Sequence, residues 1–434
     1  MNKIFKVVWN RTIGSFVVTS ELAKGRVKSS SEGAEGDVRA SEEGRLKTLF
    51  RLTALSAALL GFSEGAWAVI PEGSLTGGVL SIGTGSTSAN GAGAMAIGHN
   101  AQVKINGGLA IAPNSTHTTI SNGNNAIAIG VNLRADGSKA IGIGADTTVN
   151  GISAIAIGNN DSGRMANQGV SGNGAIGVGS NLTVRGNNAI AVGTESQAKA
   201  SDAVAVGTGA QATLANSIAI GKNSVATGMY GTAALGRATA IGFNTQALGE
   251  DSVAIGSGVD ANAAALAQNR QSVALGWSAK ATGTTQAVAI GPDAQASGAQ
   301  STSIGNNTRA TGDSSIAIGG DDWDDAKKSV NTQYKKLTGS DMSSGYQGTT
   351  AATAAVAVGV KAQATGALST AFGPGTIASG LGASAFGVGA SATQDKSVAI
   401  GAGSTTTINA EKITTATVNG ITYGGFAGTN NLTH

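Results

Sequence analysis

A five-residue phrase closed by glycine recurs through most of the chain. It reads Ala126-Ile-Ala-Ile-Gly130, Ala154-Ile-Ala-Ile-Gly158, Ala189-Ile-Ala-Val-Gly193 and Ala203-Val-Ala-Val-Gly207, and continues as Ser217-Ile-Ala-Ile-Gly221, Ser252-Val-Ala-Ile-Gly256, Ser315-Ile-Ala-Ile-Gly319 and Ser397-Val-Ala-Ile-Gly401. The closing glycines Gly130, Gly144 and Gly158 lie 14 residues apart, as do Gly179, Gly193, Gly207 and Gly221, then Gly291, Gly305 and Gly319, then Gly359, Gly373, Gly387 and Gly401. A fixed period of this size means stacked identical units rather than a rounded globule.

Within each phrase, β-branched residues alternate with alanine. Period two with Val and Ile specifies a strand, and the closing glycine permits a turn with positive φ. A weaker second strand is expected half a period later, in stretches such as Thr194–Ala200 and Ala294–Gly298. Two short strands and two turns make one coil of a parallel solenoid, with coils stacked at about 4.8 Å. The sequence reading puts the β-branched residues inside. Ile127, Ile129, Ile155, Ile157, Val204, Val206, Ile218, Ile220, Val253, Ile255, Ile316, Ile318, Val398 and Ile400 are the expected core ladder. The alternating Ala face is apolar too. Left bare along a rod it would be adhesive, so burial of that face against further copies of the chain is expected.

Composition supports a thin structure. The 434 residues include 67 glycines, and aromatic residues make up only 4%, whereas large aromatic side chains dominate most globular cores. Four prolines exclude collagen. The absence of cysteine excludes disulfides, thiolate zinc sites and thiol nucleophiles. Residues 1–68 hold 10 of the 28 Lys and Arg and 7 of the 25 Asp and Glu, leaving 18 of each sign beyond them. A neutral remainder gives no global attraction to nucleic acid or anionic membranes.

The first 68 residues read as a leader. Arg45, Lys47 and Arg51 precede the uncharged apolar run Leu52–Phe62, and Ala66-Trp67-Ala68 follows as a cleavage pattern. Basic flank, short apolar run and small-residue site specify a secretory signal peptide. Cleavage is expected between Ala68 and Val69, with Ala66 and Ala68 as the recognised small residues. The apolar run is too short to remain as a spanning anchor. Ahead of it, Lys3, Phe5, Lys6, Trp9, Asn10 and Arg11 with the trailing Glu21-Leu-Ala-Lys24 resemble the extended signal peptides of large Gram-negative autotransporters. A polar insert, roughly Ser29 to Gly44, lengthens this leader beyond that pattern.

The Ser/Asn-rich positions before Val-Ala-Ile-Gly, followed by a small-residue strand at this period, resemble the head of YadA-like trimeric autotransporter adhesins. The resemblance runs from about Ser81 to Gly401, and the leader points to the same family independently. It implies an all-β, left-handed parallel β-roll with coils of about 14 residues, three chains side by side, and adhesion to host matrix proteins or cells. It further implies export across the inner membrane of a Gram-negative bacterium and display at the cell surface or outer membrane.

The period breaks from Gly158 to Gly179, Gly221 to Gly242 and Gly256 to Gly276, which read as loops bulging from a coil. Pro113 is read as filling a glycine slot in Ala110-Ile-Ala-Pro113. The largest break, 320–352, carries Ala326, Val330, Tyr334 and Leu337 at helical spacing. Asp321 or Asp322 is the expected N-cap, and Gly339 the expected end. Trp323, Tyr334, Lys335, Lys336 and Tyr346 concentrate aromatics and charge there and are the candidate partner-binding residues, against the blander reading of a decoration packed on the rod. The expected organisation is therefore signal peptide 1–68, lead-in 69–80, head repeats 81–319, insertion 320–352, head repeats 353–403 and a head-to-neck connector 404–434. The family's coiled-coil stalk and membrane barrel have no counterpart in the sequence, which reads as the N-terminal part of such an adhesin.

His99, His117 and His434 form no catalytic or metal motif, and Gly-x-Gly stretches lack the following helix of a nucleotide site. No enzyme activity, cofactor, metal, nucleic acid or membrane segment beyond the leader is expected. A homotrimeric adhesin head is the expected function. The alternatives are a structural spacer or coat, or a truncated fragment without function.

Overall fold

The computed structural model describes residues 78–113, 116–160, 169–230, 233–234, 236–260, 262–406 and 415–424, together with the backbone of strands Phe5–Asn10 and Ser15–Ser20. The chain divides into units 1–65 and 66–434. In the first, Phe5–Asn10 pairs antiparallel with Ser15–Ser20. The expected cleavage residues Ala66, Ala68 and Val69 lie outside the described residues.

The second unit is a parallel β-solenoid. Each phrase strand pairs with its equivalent one coil on, so that Ile190, Val204 and Ile218 form one rung series and Ala191, Ala205 and Ala219 the next. These strands make sheet I. The half-period strands make sheet II, in which Gln197–Ala198 pairs in parallel with Gln211–Ala212. The ladder bonds run from coil to coil: Val204 N–H donates to Ser217 O at 2.9 Å, and Gln197 N–H to Ala210 O at 2.8 Å.

The inside of the coil corrects the sequence reading. Ala128, Ala156, Ala191, Ala205, Ala219, Ala254, Ala317 and Ala399 are buried. The residues expected to form the core ladder point outward: Ile127, Ile129, Ile155, Val204, Val206, Ile218 and Val253 are half-buried, and Ile157, Ile220, Ile255, Ile316, Ile318, Val398 and Ile400 are exposed. Ile157 is 41% and Ile400 70% accessible. The reason is width. Sheet II turns Ala198, Ala212, Ala281 and Ala296 inward against the sheet I alanines, and two sheets this close leave no room for branched side chains on both.

Where the inner position of sheet I is glycine, the opposing wall is larger. A Cβ on Gly142 would stand 2.6 Å from Leu133 Cδ2 and 3.2 Å from Val149 Cγ2, and one on Gly177 would stand 2.7 Å from Val170 Cγ2. Leu133, Val149 and Val170 are buried. At these two positions the larger wall side chains fill the space an alanine methyl would take, as close packing requires.

The closing glycines are required twice over. Gly144 has φ 135°, and a Cβ there would lie 1.7 Å from the carbonyl oxygen of Gly158 in the next coil. The corners also use left-handed non-glycine residues, among them Asn188, Asp202, Asn216, Asp251 and Gln271. Asn and Asp tolerate this region because their short polar side chains bond locally. Next to them, Ser272 and Ser315 donate to the carbonyls three residues back at 2.6 Å, which closes the turn. Ala112, rather than Pro113, occupies the glycine slot, since Gly98 pairs with Ala112.

The interruptions become local structures. Between Gly221 and Gly242, strand Val225–Tyr230 folds back antiparallel on Ala233–Ala234. In the loop after Gly256, Asp260 Oδ1 accepts from the N–H groups of Asn262 and Ala263, both at 2.8 Å. After Gly319 the chain leaves sheet I, forms helix α1 (Asp324–Thr338), and rejoins sheet II at Thr350–Ala351. Thr415–Val418 and Ile421–Gly424 form a separate antiparallel hairpin. Its turn is Asn419-Gly420, both at positive φ, the combination that a tight hairpin favours. Among the described residues no helix is long and apolar enough to cross a membrane.

Candidate functional site

The solenoid presents two chemically different outer faces. Outward from sheet I stand Val and Ile, one ladder per strand position, with Phe372 and Phe386 in two coils. Outward from sheet II stand Gln197, Gln211, Lys280, Gln295, Arg309 and Gln363, with Ile120, Val225, Leu266 and Ile377 among the apolar exceptions. The second face is suited to water or a polar ligand. The first is an apolar surface far longer than a soluble monomer ordinarily exposes.

Polar ladders line the corners. Gln300 Nε2 donates to Gln286 Oε1 at 3.1 Å, and Gln286 Nε2 to Gln271 Oε1 at 3.0 Å. Asn132 Nδ2 donates to Asp146 Oδ1 at 2.7 Å. A charged cluster lies beside the folded-back strand. Arg237 bridges Glu250 and Asp251, the latter at 2.6 Å, and Arg270 meets Glu250 at 3.2 Å. Hydrogen bonding from Arg237 holds the Asp251 carboxyl below the usual carboxylate range. Among the described residues no group of three or more His, Asp or Glu side chains is placed to hold a metal ion.

Helix α1 docks along the corner that follows sheet I. Gly339 ends it in the left-handed conformation at φ 77°, the expected stop. At its start, Trp323 takes the cap position without a side-chain cap bond, while Asp322 Oδ1 accepts from Asp324 N–H at 2.7 Å. Asp321 faces the solenoid instead, accepting from Asn306 Nδ2 at 2.7 Å and Asn307 Nδ2 at 3.2 Å. Asp324 and Asp325 lie in the first turn and Lys335 and Lys336 in the last, matching the helix dipole.

The candidate partner-binding residues separate into two groups. Trp323 is only 6% accessible. Its Nε1 donates to Ser343 O at 2.6 Å, Tyr334 meets it edge-on at 5.5 Å, and Lys361 Nζ stands 5.2 Å from its ring centroid. Tyr334 is half-buried, and burial pushes its hydroxyl pKa up. Lys335 pairs with Asp341 at 2.9 Å, and that hydrogen bond, with a second from Asn331, holds the Asp341 carboxyl low. These three residues build the insertion. Lys336 is exposed, and Tyr346 is 78% accessible, so both remain on the surface.

Sequence reading missed what receives the helix. A Cβ on Gly375 would lie 2.6 Å from the Trp323 ring, one on Gly389 2.8 Å from Thr338 Cγ2, and one on Gly403 2.7 Å from Thr338 Cα. Other coils carry Glu195, Asn223 or Asn307 at this corner. Three successive glycines here, following Lys361, were the readable signal of a bed for the helix.

Two family models match the chain. Residues 1–49 match the extended signal peptide of the type V secretion system. The YadA head domain repeat (2 copies) matches ten stretches between residues 89 and 404, among them 185–210, 212–234, 236–258, 352–376 and 378–404. Together these repeats cover more than half of the chain. The stretches stop at residue 321 and resume at 352, so α1 and its return segment lie outside them.

Proposed function

This chain belongs to the YadA-like trimeric autotransporter adhesins, carrying their extended signal peptide and head repeats, and from that premise we propose that it is the head of a cell-surface adhesin. Its leader directs export across the inner membrane. Three copies stand side by side with their apolar sheet I faces covered, and present sheet II and the corners outward to host matrix proteins or cells. The observation that carries this reading is the opposition of the two faces: a ladder of Val and Ile on one side, Gln, Lys and Arg on the other. A ladder repeating at strand spacing is matched best by another ladder of the same spacing, which a second copy supplies.

The polar face repeats coil after coil, and three copies multiply it again. Weak contacts at each coil then sum to firm attachment through effective concentration. Binding of the exported chain to immobilised collagen, fibronectin and laminin tests this, with its native mass measured in parallel. We expect a mass three times that of one chain, and binding to at least one matrix protein above an albumin control. A trimer that binds none of them, and no host cell, would overturn adhesion and leave a structural spacer.

A further inference from the structure

We propose that helix α1 is a clasp between copies, its open apolar groove receiving Phe372 and Phe386 of the neighbouring chain; this rests on the side-by-side assembly proposed above. The groove has a volume of about 300 Å³ and is lined by Ala326, Val330 and Leu337 of the helix and by Val360, Pro374 and Val388 of the coils beneath. It cannot close by the helix settling inward. Trp323, Tyr334 and Thr338 already rest on Gly375, Gly389 and Gly403. Ala326, Val330 and Leu337 stay exposed, and of the helix's apolar stripe only Tyr334 is half-buried.

The same coils carry the largest outward side chains of sheet I. Phe372 and Phe386 occupy adjacent rungs where most coils have Ile or Val, with ring centroids 6.5 Å apart. They are 54% and 39% accessible. Neither lines the groove of its own chain. Each Phe precedes a groove residue by two positions, Phe372 before Pro374 and Phe386 before Val388. Two residues of a 14-residue coil correspond to about 0.7 Å of the coil rise. Knobs and groove therefore lie at one level along the solenoid.

That coincidence selects the occupant. In a cyclic assembly whose axis runs along the solenoid, every atom keeps its level from copy to copy, and a knob on one side of a chain meets a hole on the other side of its neighbour. An antiparallel pair keeps that level only where its two-fold axis crosses these very coils. A foreign partner would have no reason to share the level. The insertion then fixes the axial register of an assembly whose coils, being nearly identical, would otherwise slip by one.

The chain contains no cysteine, so introduced thiols report cleanly. Two forms with different tags are co-expressed, one Val330→Cys and the other Phe372→Cys, and the exported protein is oxidised and run without reductant. A disulfide joining the two tags can only be between chains. We expect most of the mixed assemblies to show it, and the pair Leu337→Cys with Phe386→Cys to behave alike, whereas Val330→Cys with Gln211→Cys gives none. If the native mass is oligomeric and neither groove pair cross-links, the clasp is wrong and the assembly stands. If the native mass is that of one chain, the assembly itself is wrong and the clasp falls with it.

Discussion

The two outer faces of the solenoid are built on the same coil, at the same spacing, from short strands, yet they carry opposite chemistry. Sheet I turns Val204 and Val206 outward, and sheet II turns Gln211 outward one half-coil later. Both sheets turn alanine inward. The core is thin on both sides, although sheet II also turns Val103, Val149 and Val170 inward, and the contrast between the sheets lies mainly in what each shows to its surroundings. An apolar outer face repeated over the length of the solenoid has a purpose only if something covers it, while a polar one is complete in water. Under the proposed function, assembly falls on the apolar side and recognition on the polar one.

The largest expected effect comes from reversing inside and outside. Ala205→Leu places a branched side chain between two walls of alanine and should cost about 3 kcal/mol, the upper end of what overpacking costs. Val206→Leu, one residue on and facing outward, should cost less than about 1 kcal/mol in the folding of the single chain. Chemical denaturation of both variants measures the contrast. A larger cost for Val206→Leu would mean that the inner and outer assignments are exchanged.

Charging each face in turn comes next. Ile220→Asp with Ile255→Asp should reduce the native mass to that of one chain, with the strand content of each chain kept. Gln211→Asp with Gln295→Asp on the other face should leave the mass unchanged. Light scattering reads both. A fall in mass from the sheet II pair would place the interface on the polar side.

A smaller effect tests volume conservation within one coil. Gly142→Ala drives its Cβ against Leu133 and should cost about 2 kcal/mol, within the overpacking range. In a Leu133→Ala background the same change should cost little, a coupling well above the few tenths found for independent sites. Additive costs would show that the two positions do not share a space.

The smallest effect concerns the insertion and acid. Hydrogen bonds from Lys335 and Asn331 hold the Asp341 carboxyl below its ordinary value. A carboxylate depressed on folding contributes stability that is present above the unfolded pKa, about 3.9, and is lost as pH falls through the folded value. Amide protection across α1, taken relative to the intrinsic exchange rate at each pH, should therefore fall below about pH 4, with that of the coils unaffected. Asp341→Asn should remove most of that dependence.

Particular residues show how much was readable in advance. The glycine spacing yielded the coils and both strands. The spacing of Ala326, Val330, Tyr334 and Leu337 yielded the helix, and Gly339 its end. The face that lies inside was misread, although a signal existed. The middle position of the phrase holds only small residues, Ala with Gly142, Gly177 and Ser303, whereas its flanks admit Met95, Thr239, Phe372 and Phe386. Tolerance of size marks the outside, because only there does an added methylene find room. Trp323 stood among the candidate partner-binding residues because helical spacing alone does not reveal that Ser343, Tyr334 and Lys361 enclose it.

The sequence alone determined the repeating unit, its strands, its turns and its exported leader, since each follows from local preference or from spacing along the chain. Only the tertiary structure decided which side of each strand is core and where α1 rests. Period two is symmetric between the faces of a strand. The symmetry is broken by the distance between the two sheets, which no single strand encodes.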